Sequence, residues 1–407
     1  MKQKKITTAI TGLIGLSLFG MHTAQAGDRV IVNSTSDISQ PGLTTLRQAV
    51  QISNVLPSAE IEFDAELFSV PQRITLINGD ILISENIIIF GPGQDLLTID
   101  GGNNSRIFRI NNDDDSLISA RINGLTLTNG LANNTTGREG GCILSFENLS
   151  LTNSTITQCR SFGNGGGIKA VSGSLTLNNS TVSNNSAGNN AGGVYLRQAT
   201  AVISNSTISG NTADISGGGV RAFRNSDVEI LNSTISNNVL LNAETIAGGG
   251  IYIKENTTPL SIQNSTVFNN TGEGIYIKDS SLVNINNSVI ASNSLTDCDF
   301  SQINSNSDNE RNIDTDGSCN VNASDHTTVA DPMLEPLANY GGSTDTHRPK
   351  PSSPVIDTGD DALCLEFDQR GVIRPQDGDQ DGTATCDIGA VELAAFEDVI
   401  FSNGFDD

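Results

Sequence analysis

The chain has 407 residues, a formal net charge of −24, 41 glycines, no tryptophan and 4% aromatic residues. This is poor material for one large globular core and suits stacked small units. The acidity argues against nucleic acid or an anionic membrane surface as a partner.

Residues 1–26 read as a secretory signal. Lys2, Lys4 and Lys5 form a basic start, Ile6 to Gly20 a mostly apolar stretch, and Ala24-Gln25-Ala26 a small-residue cleavage site, so the mature chain is expected to begin at Gly27 outside the cytoplasm. No later segment is apolar and long enough to be expected as a transmembrane span. Residues 27–79 form an N-terminal cap region. Within it Leu43 to Val50 carries apolar residues at helical spacing, with Thr44 or Thr45 as N-cap. A short amphipathic helix here would cover the open end of a solenoid, which otherwise exposes unpaired backbone groups.

Residues 80–295 alternate like strands and, from about residue 131, repeat. Asn153, Asn179, Asn205, Asn232, Asn264 and Asn287 recur at intervals of 26, 26, 27, 32 and 23 residues. Three apolar columns follow that register: Leu149, Leu175, Ala201, Val228, Leu260, Val283, then Leu151, Leu177, Ile203, Ile230, Ile262, Ile285, then Ile156, Val182, Ile208, Ile235, Val267, Ile290. A second polar column holds Cys159, Asn185, Asn211, Asn238, Asn270 and Asn293, and Gly-Gly pairs such as Gly166-Gly167 recur after it. The period and alternation predict a right-handed parallel β-helix whose coils stack about 4.8 Å apart, about ten of them spanning about 50 Å. The anchor asparagines are expected to point inward and bond amide to amide, and the glycine pairs to supply positive φ at corners. Their inward direction also argues against use of the Asn-Ser-Thr sequons for glycosylation.

Residues 296–330 break the pattern as an irregular linker, residues 331–392 form a distinct C-terminal region rich in Pro, Gly and Asp, and residues 393–407 are an acidic tail. Six cysteines in an exported chain can pair locally as Cys142–Cys159, Cys298–Cys319 and Cys364–Cys386, the first pair depending on coil geometry. There is no CxxC or Cys/His cluster to hold zinc.

Several motifs resemble a known family. Gly42 to Val50 followed by Ile61-Glu62-Phe63-Asp64 resembles the CSLREA-type start of bacterial surface proteins, with Thr44 in place of the usual Ser and the Cys missing. The repeats resemble those of polymorphic outer-membrane proteins. Asp331 to Leu337, Asn339 to Thr344, Ser353 to Gly359, Asp368 to Pro375 and Cys386 to Glu392 closely resemble the choice-of-anchor Q domain. The tail Val399 to Asp406 is similar to short endings of proteobacterial exported proteins, either a sorting signal or a terminal strand. The resemblance implies a right-handed parallel β-helix, secreted or held at the outer membrane of a Gram-negative bacterium, and no particular activity.

Catalytic residues cannot be assigned. Polygalacturonase-like hydrolases of this fold need clustered Asp pairs and a Gly-His-Gly segment, whereas this chain has His22, His326 and His347, all outside the repeats. Lyases of this fold use Lys or Arg beside a carboxylate, often with calcium, and that route stays open. After the Gly-Gly motif, outward positions hold Lys169, Tyr195, Arg197, Arg221, Tyr252, Lys254, Tyr276 and Lys278. Stacked, they would form a basic and aromatic stripe able to bind an acidic glycan or extracellular matrix, Arg and Lys pairing with carboxylates or sulfates and Tyr with sugar faces. Exposed strands favour the same residues for pairing reasons alone. Asp377, Asp379 and Asp381, followed by Gly382, match the first half of a calcium loop, but Ile388 stands where the bidentate Glu would be. The expectation is a non-enzymatic, adhesin-like protein, with a polysaccharide lyase as the alternative.

Overall fold

The computed structural model describes residues 28–242, 248–256, 258–279, 283–300, 309–319 and 326–394. The expected secretory signal and nearly all of the acidic tail lie outside these residues. The chain winds as a solenoid of parallel sheets. Sheet A has 11 strands from Asp28–Val32 to Asn309–Glu310, sheet B has 11 from Gln72–Thr75 to Thr327–Thr328, and sheet C has nine from Ile81–Ile83 to Cys298–Asp299. A small sheet D of five two-residue strands, Leu131–Ala132 to Val239–Leu240, lies between B and C in each of the coils it joins. Register is strict: Leu149, Leu175, Ala201, Val228, Leu260 and Val283 pair in succession, as do Ile156, Val182, Ile208, Ile235, Val267 and Ile290. All of these side chains are buried, forming the interior that holds successive coils together.

The helix Leu46–Ser53 buries Leu46, Ala49 and Val50 against the first coil, and Thr45 is its N-cap in a reciprocal capping box with Gln48. Arg47 fixes it further, pairing with Asp37 and donating to the Gly79 and Asp80 carbonyls.

The asparagine columns differ from expectation. Asn153, Asn179, Asn205, Asn232, Asn264 and Asn287 all have φ between 44 and 50°. They are the left-handed corners between sheets A and B, a conformation asparagine tolerates better than most residues. Asn153 is exposed, so the inward direction expected of this column, and the case against glycosylation drawn from it, does not hold there. The amide ladder runs through the second column instead. Asn185 Nδ2 donates to Asn211 Oδ1 at 2.9 Å, and Asn211, Asn238 and Asn270 each donate onward at 3.0 Å, ending on Asn293. Each of these four amides also donates to a carbonyl of the previous coil, as Asn211 does to Val182. Asp297 accepts from Asn293 and closes the ladder. Between the columns runs a buried serine ladder, with the Ser154 amide donating to Ser180 Oγ and so on through Ser206, Ser233, Ser265 and Ser288.

The glycine pairs also differ from expectation. Positive φ falls on the residue before each pair, Gly165 (69°), Ala191 (56°), Gly217 (64°) and Gly248 (63°). The pairs themselves are required by close approach: a Cβ on Gly167 would lie 3.1 Å from Asn185 Nδ2, and one on Gly166 would lie 2.3 Å from the Gly192 carbonyl oxygen. In the coil before, Cys142 stands in the glycine column and Cys159 in the asparagine column, so this contact becomes the Cys142–Cys159 disulfide. Cys298–Cys319 and Cys364–Cys386 are also bonded.

The irregular C-terminal region lies along the flank of the solenoid. It runs back over the asparagine corners and the outer face of sheet B. Asn287 exchanges two bonds with the Asp360 backbone (2.8 and 2.9 Å), Asn264 Oδ1 accepts from the Leu365 amide, and Asn232 Nδ2 donates to the Phe367 carbonyl. Thr234 donates to Gln369 Oε1 at 2.7 Å and Thr207 to the Asp345 carbonyl at 2.5 Å. An apolar cluster secures its base: Val289, Ala291 and Ile313 of the solenoid against Leu334, Val355, Ile356 and Ile388. Inside the region, Arg374 and Glu392 form a fully buried ion pair at 3.1 Å, and Arg370 pairs with Asp368.

Candidate functional site

Sheet C places the stripe residues on its outer face in two adjacent columns. One reads Leu82, Arg109, Leu144, Lys169, Tyr195, Arg221, Tyr252, Tyr276 and Asp299, the other Val171, Arg197, Phe223, Lys254 and Lys278. All eight stripe residues therefore share one surface, because each follows the same glycine corner by two residues (first column) or four (second column).

Their environments differ. Tyr195, Tyr252 and Tyr276 are only 6–7% exposed. Arg221 lies over the rings of Tyr195 (5.8 Å), Tyr252 (5.0 Å) and Phe223 (5.4 Å), Tyr252 stacks on Tyr276 at 5.4 Å, and Leu240 of sheet D covers the last two. The tyrosines are thus interleaved spacers and offer no free ring face to a sugar. Burial raises the pKa of all three phenols and lowers that of the Arg221 guanidinium. Accessible charge lies along the second column and, in the first, at Arg109. Lys254 has Glu255 at 3.5 Å, whereas Arg197 and Lys278 have no carboxylate within ion-pair distance among the described residues.

Sequence reasoning missed the N-terminal end of this face. There an opening of about 550 Å³ on sheet C is lined by Asp80, Arg106, Arg109, Glu139, Leu144 and Phe146 among others. Arg106 is buried and donates to the carbonyls of Thr136, Gly137, Glu139 and Gly140 while pairing with Asp80 at 3.0 Å. It pins the 136–140 loop as one wall. Desolvation lowers its pKa, opposed by Asp80. Arg109, partly exposed, holds its Nε 3.5 Å from Asp80 Oδ2, an ion pair in which that Nε makes no hydrogen bond. Glu139 pairs with Lys169 and accepts from Asn164. The register could have pointed to Arg109, since it is two strands before Lys169, but the repeat is too degenerate there to align by eye.

The acidic motif lies elsewhere, in the C-terminal region. Asp377 and Asp379 gather with Asp357, which sequence spacing did not indicate, and one carboxylate oxygen of each lies within 4.8 Å of the others. Asp381 stands outside this trio and accepts from the Thr383 amide. Asp377 Oδ2 accepts from the Gly382 amide, while its buried Oδ1 has no partner. Burial raises the Asp357 pKa against two backbone amide bonds, and the charges of Asp379 and Asp377 add to the rise. Such a trio of oxygens suits a hard cation. His347 is committed to structure, held 2.7 Å from Ser236 Oγ and 2.8 Å from the Glu335 carbonyl, with burial lowering its pKa.

Comparison with known proteins agrees with this geometry. A family model described as a right handed beta helix region matches residues 147–331. The solenoid is a right-handed parallel β-helix. Among solved structures, the crystal structure of pectate lyase Pel9A is similar with a TM-score of 0.53 and 13% identity, covering 91% of this chain and 97% of that one. At that identity the likeness is one of fold. No curated protein matches the chain. No helix among the described residues is long and apolar enough to cross a membrane, and the three disulfides fit an oxidising compartment.

Proposed function

We propose that this β-helix is an exported bacterial surface protein that binds an acidic polysaccharide along the outer face of sheet C without turning it over. One observation carries the reading: on a chain of net charge −24, seven cations (Arg109, Lys169, Arg197, Arg221, Arg224, Lys254 and Lys278) lie on or beside one face, most of them in register. A polyanion repelled by the rest of the surface would find its attraction concentrated there. The free heads of Arg197 and Lys278 supply charge-assisted bonds, and the buried tyrosines hold Arg221 in place. The resemblance of the C-terminal motifs to the choice-of-anchor Q domain supports a location at the cell surface. The trio Asp357, Asp377 and Asp379 is our candidate calcium site, fastening the C-terminal region rather than touching the glycan.

A polysaccharide lyase is the second reading, favoured by Glu139, Asp80 and Arg109 lining one cleft with Lys169 paired to Glu139 at its side. Incubation with a panel of polyuronides, with and without calcium, separates the two. Binding with no release of unsaturated uronate, read by ultraviolet absorbance, supports the binding protein. Steady product formation, abolished in Lys169→Ala, supports the lyase. Absence of both overturns the acidic-glycan reading.

A further inference from the structure

A second surface differs in chemistry from sheet C. The C-terminal region covers sheet B only over the later coils. Thr207, Thr234 and Thr266 are buried beneath it, while the equivalent Thr155 and Thr181 are not. Over these earlier coils a cleft of about 740 Å³ opens between the tip of the C-terminal region and the loop of residues 91–95. Its size is in the range of small-ligand sites. Most of the lining is uncharged and polar: Gln94, Asn153, Thr155, Thr181, Asn339 and Ser343. Asp95 and Asp345 also line it, and no Lys or Arg does.

The walls are fixed. Gly91 and Gly93 donate to the Asn123 and Gly124 carbonyls at 2.7 and 3.1 Å. Gln94 accepts from Thr126 through its carbonyl (2.8 Å) and from Thr155 through Oε1 (2.9 Å). The opposite wall is held by Thr207 on Asp345 and by Thr344 on the Asn205 carbonyl (3.1 Å). Gln94 Nε2 makes no hydrogen bond among the described residues. The same asparagine corner, further along, binds the polar backbone of the C-terminal region through Asn232, Asn264 and Asn287.

We infer that this cleft is a binding site for a neutral oligosaccharide. Dense amide and hydroxyl groups match a ligand rich in hydroxyls, and the two carboxylates with no cation disfavour an anionic one. The lining also argues against a peptide. Where the C-terminal region docks, its bonds to the corner are joined by the apolar cluster of Val289, Ala291 and Ile313. The open coils present Thr155, Thr157, Thr181 and Ser183 instead, which give apolar side chains nothing to pack on. The site is independent of the acidic-glycan reading.

The test titrates the whole protein by calorimetry with maltohexaose, cellohexaose, xylohexaose and chitohexaose, and with an uncharged Gly-Ser-Thr peptide. One oligosaccharide is expected to bind, and Thr181→Ala and Ser343→Trp each to weaken it at least tenfold. Ser343 is exposed at the tip, so its replacement fills the cleft without entering the core. Lys254→Ala/Lys278→Ala on sheet C should leave this binding unchanged while weakening any polygalacturonate binding. No binding of the four sugars at millimolar concentration, binding that survives both cleft variants, or binding of the peptide alone would each overturn the inference.

Discussion

At the scale of single residues, the asparagines divide into two kinds that the sequence spells identically. Asn185, Asn211, Asn238 and Asn270, each six residues after a corner, are buried and carry the amide ladder, while the corner asparagines supply left-handed backbone. Spacing located both columns but could not say which faced inward, because direction depends on the corner and not on periodicity. A buried amide removed from a ladder strands its neighbours' donors and acceptors. Asn238→Ala is therefore expected to destabilise by about 2–4 kcal/mol, measured by urea unfolding. Asn153→Ala removes no bond of the buried ladder, only an exposed one to Asn123 at 3.4 Å, and its cost should come mainly from the left-handed backbone, about 1 kcal/mol.

At the scale of elements, the first disulfide reads as a variation on the glycine–asparagine contact. Removing it as Cys142→Ala/Cys159→Ala should cost about 3 kcal/mol, as expected for a loop of this size. The pair Cys142→Gly/Cys159→Asn should recover part of that loss by extending the ladder to Asn185. Equal melting temperatures for the two double variants would contradict the equivalence. The C-terminal region carries its own pH dependence. Burial first, then the charge of Glu392, raises the Asp387 pKa well above the carboxylate range, and burial raises Glu392 despite Arg374. In the unfolded chain both titrate near pH ~4. The native state thus keeps a proton that the unfolded chain releases, so this contribution is complete below about pH 4 and is lost as pH rises through the native pKa. His347, its pKa lowered by burial, acts in the opposite sense below about pH 6.5. The difference between wild type and Asp387→Asn isolates the first effect: between pH 5 and about pH 8 the variant should lose less stability than wild type. If calcium occupies the trio of Asp357, Asp377 and Asp379, saturating it at about 100 times its dissociation constant should add about 2.7 kcal/mol. Identical melting with calcium and with chelator would remove the site.

At the scale of the whole molecule, the solenoid was legible because stacking writes the same residue at the same place in every coil. The placement of the C-terminal region on the flank was not legible, since its contacts to Asn232, Asn264 and Asn287 join residues 73 to 135 positions apart. The stripe on sheet C was legible as a column, and its burial was not: stacking at about 4.8 Å interleaves the long side chains, so that tyrosines in the sequence become spacers in the structure. What this leaves is a face rich in cations on a strongly acidic rod, and electrostatics would make the proposed polyanion binding sensitive to salt. The most direct test is titration of wild type and Arg197→Ala/Lys254→Ala/Lys278→Ala with polygalacturonate over a range of ionic strength. Binding that weakens steadily with salt in the wild type and falls at least tenfold in the triple variant is the predicted result. Binding of equal strength in both, or none by the wild type at low salt, would contradict it.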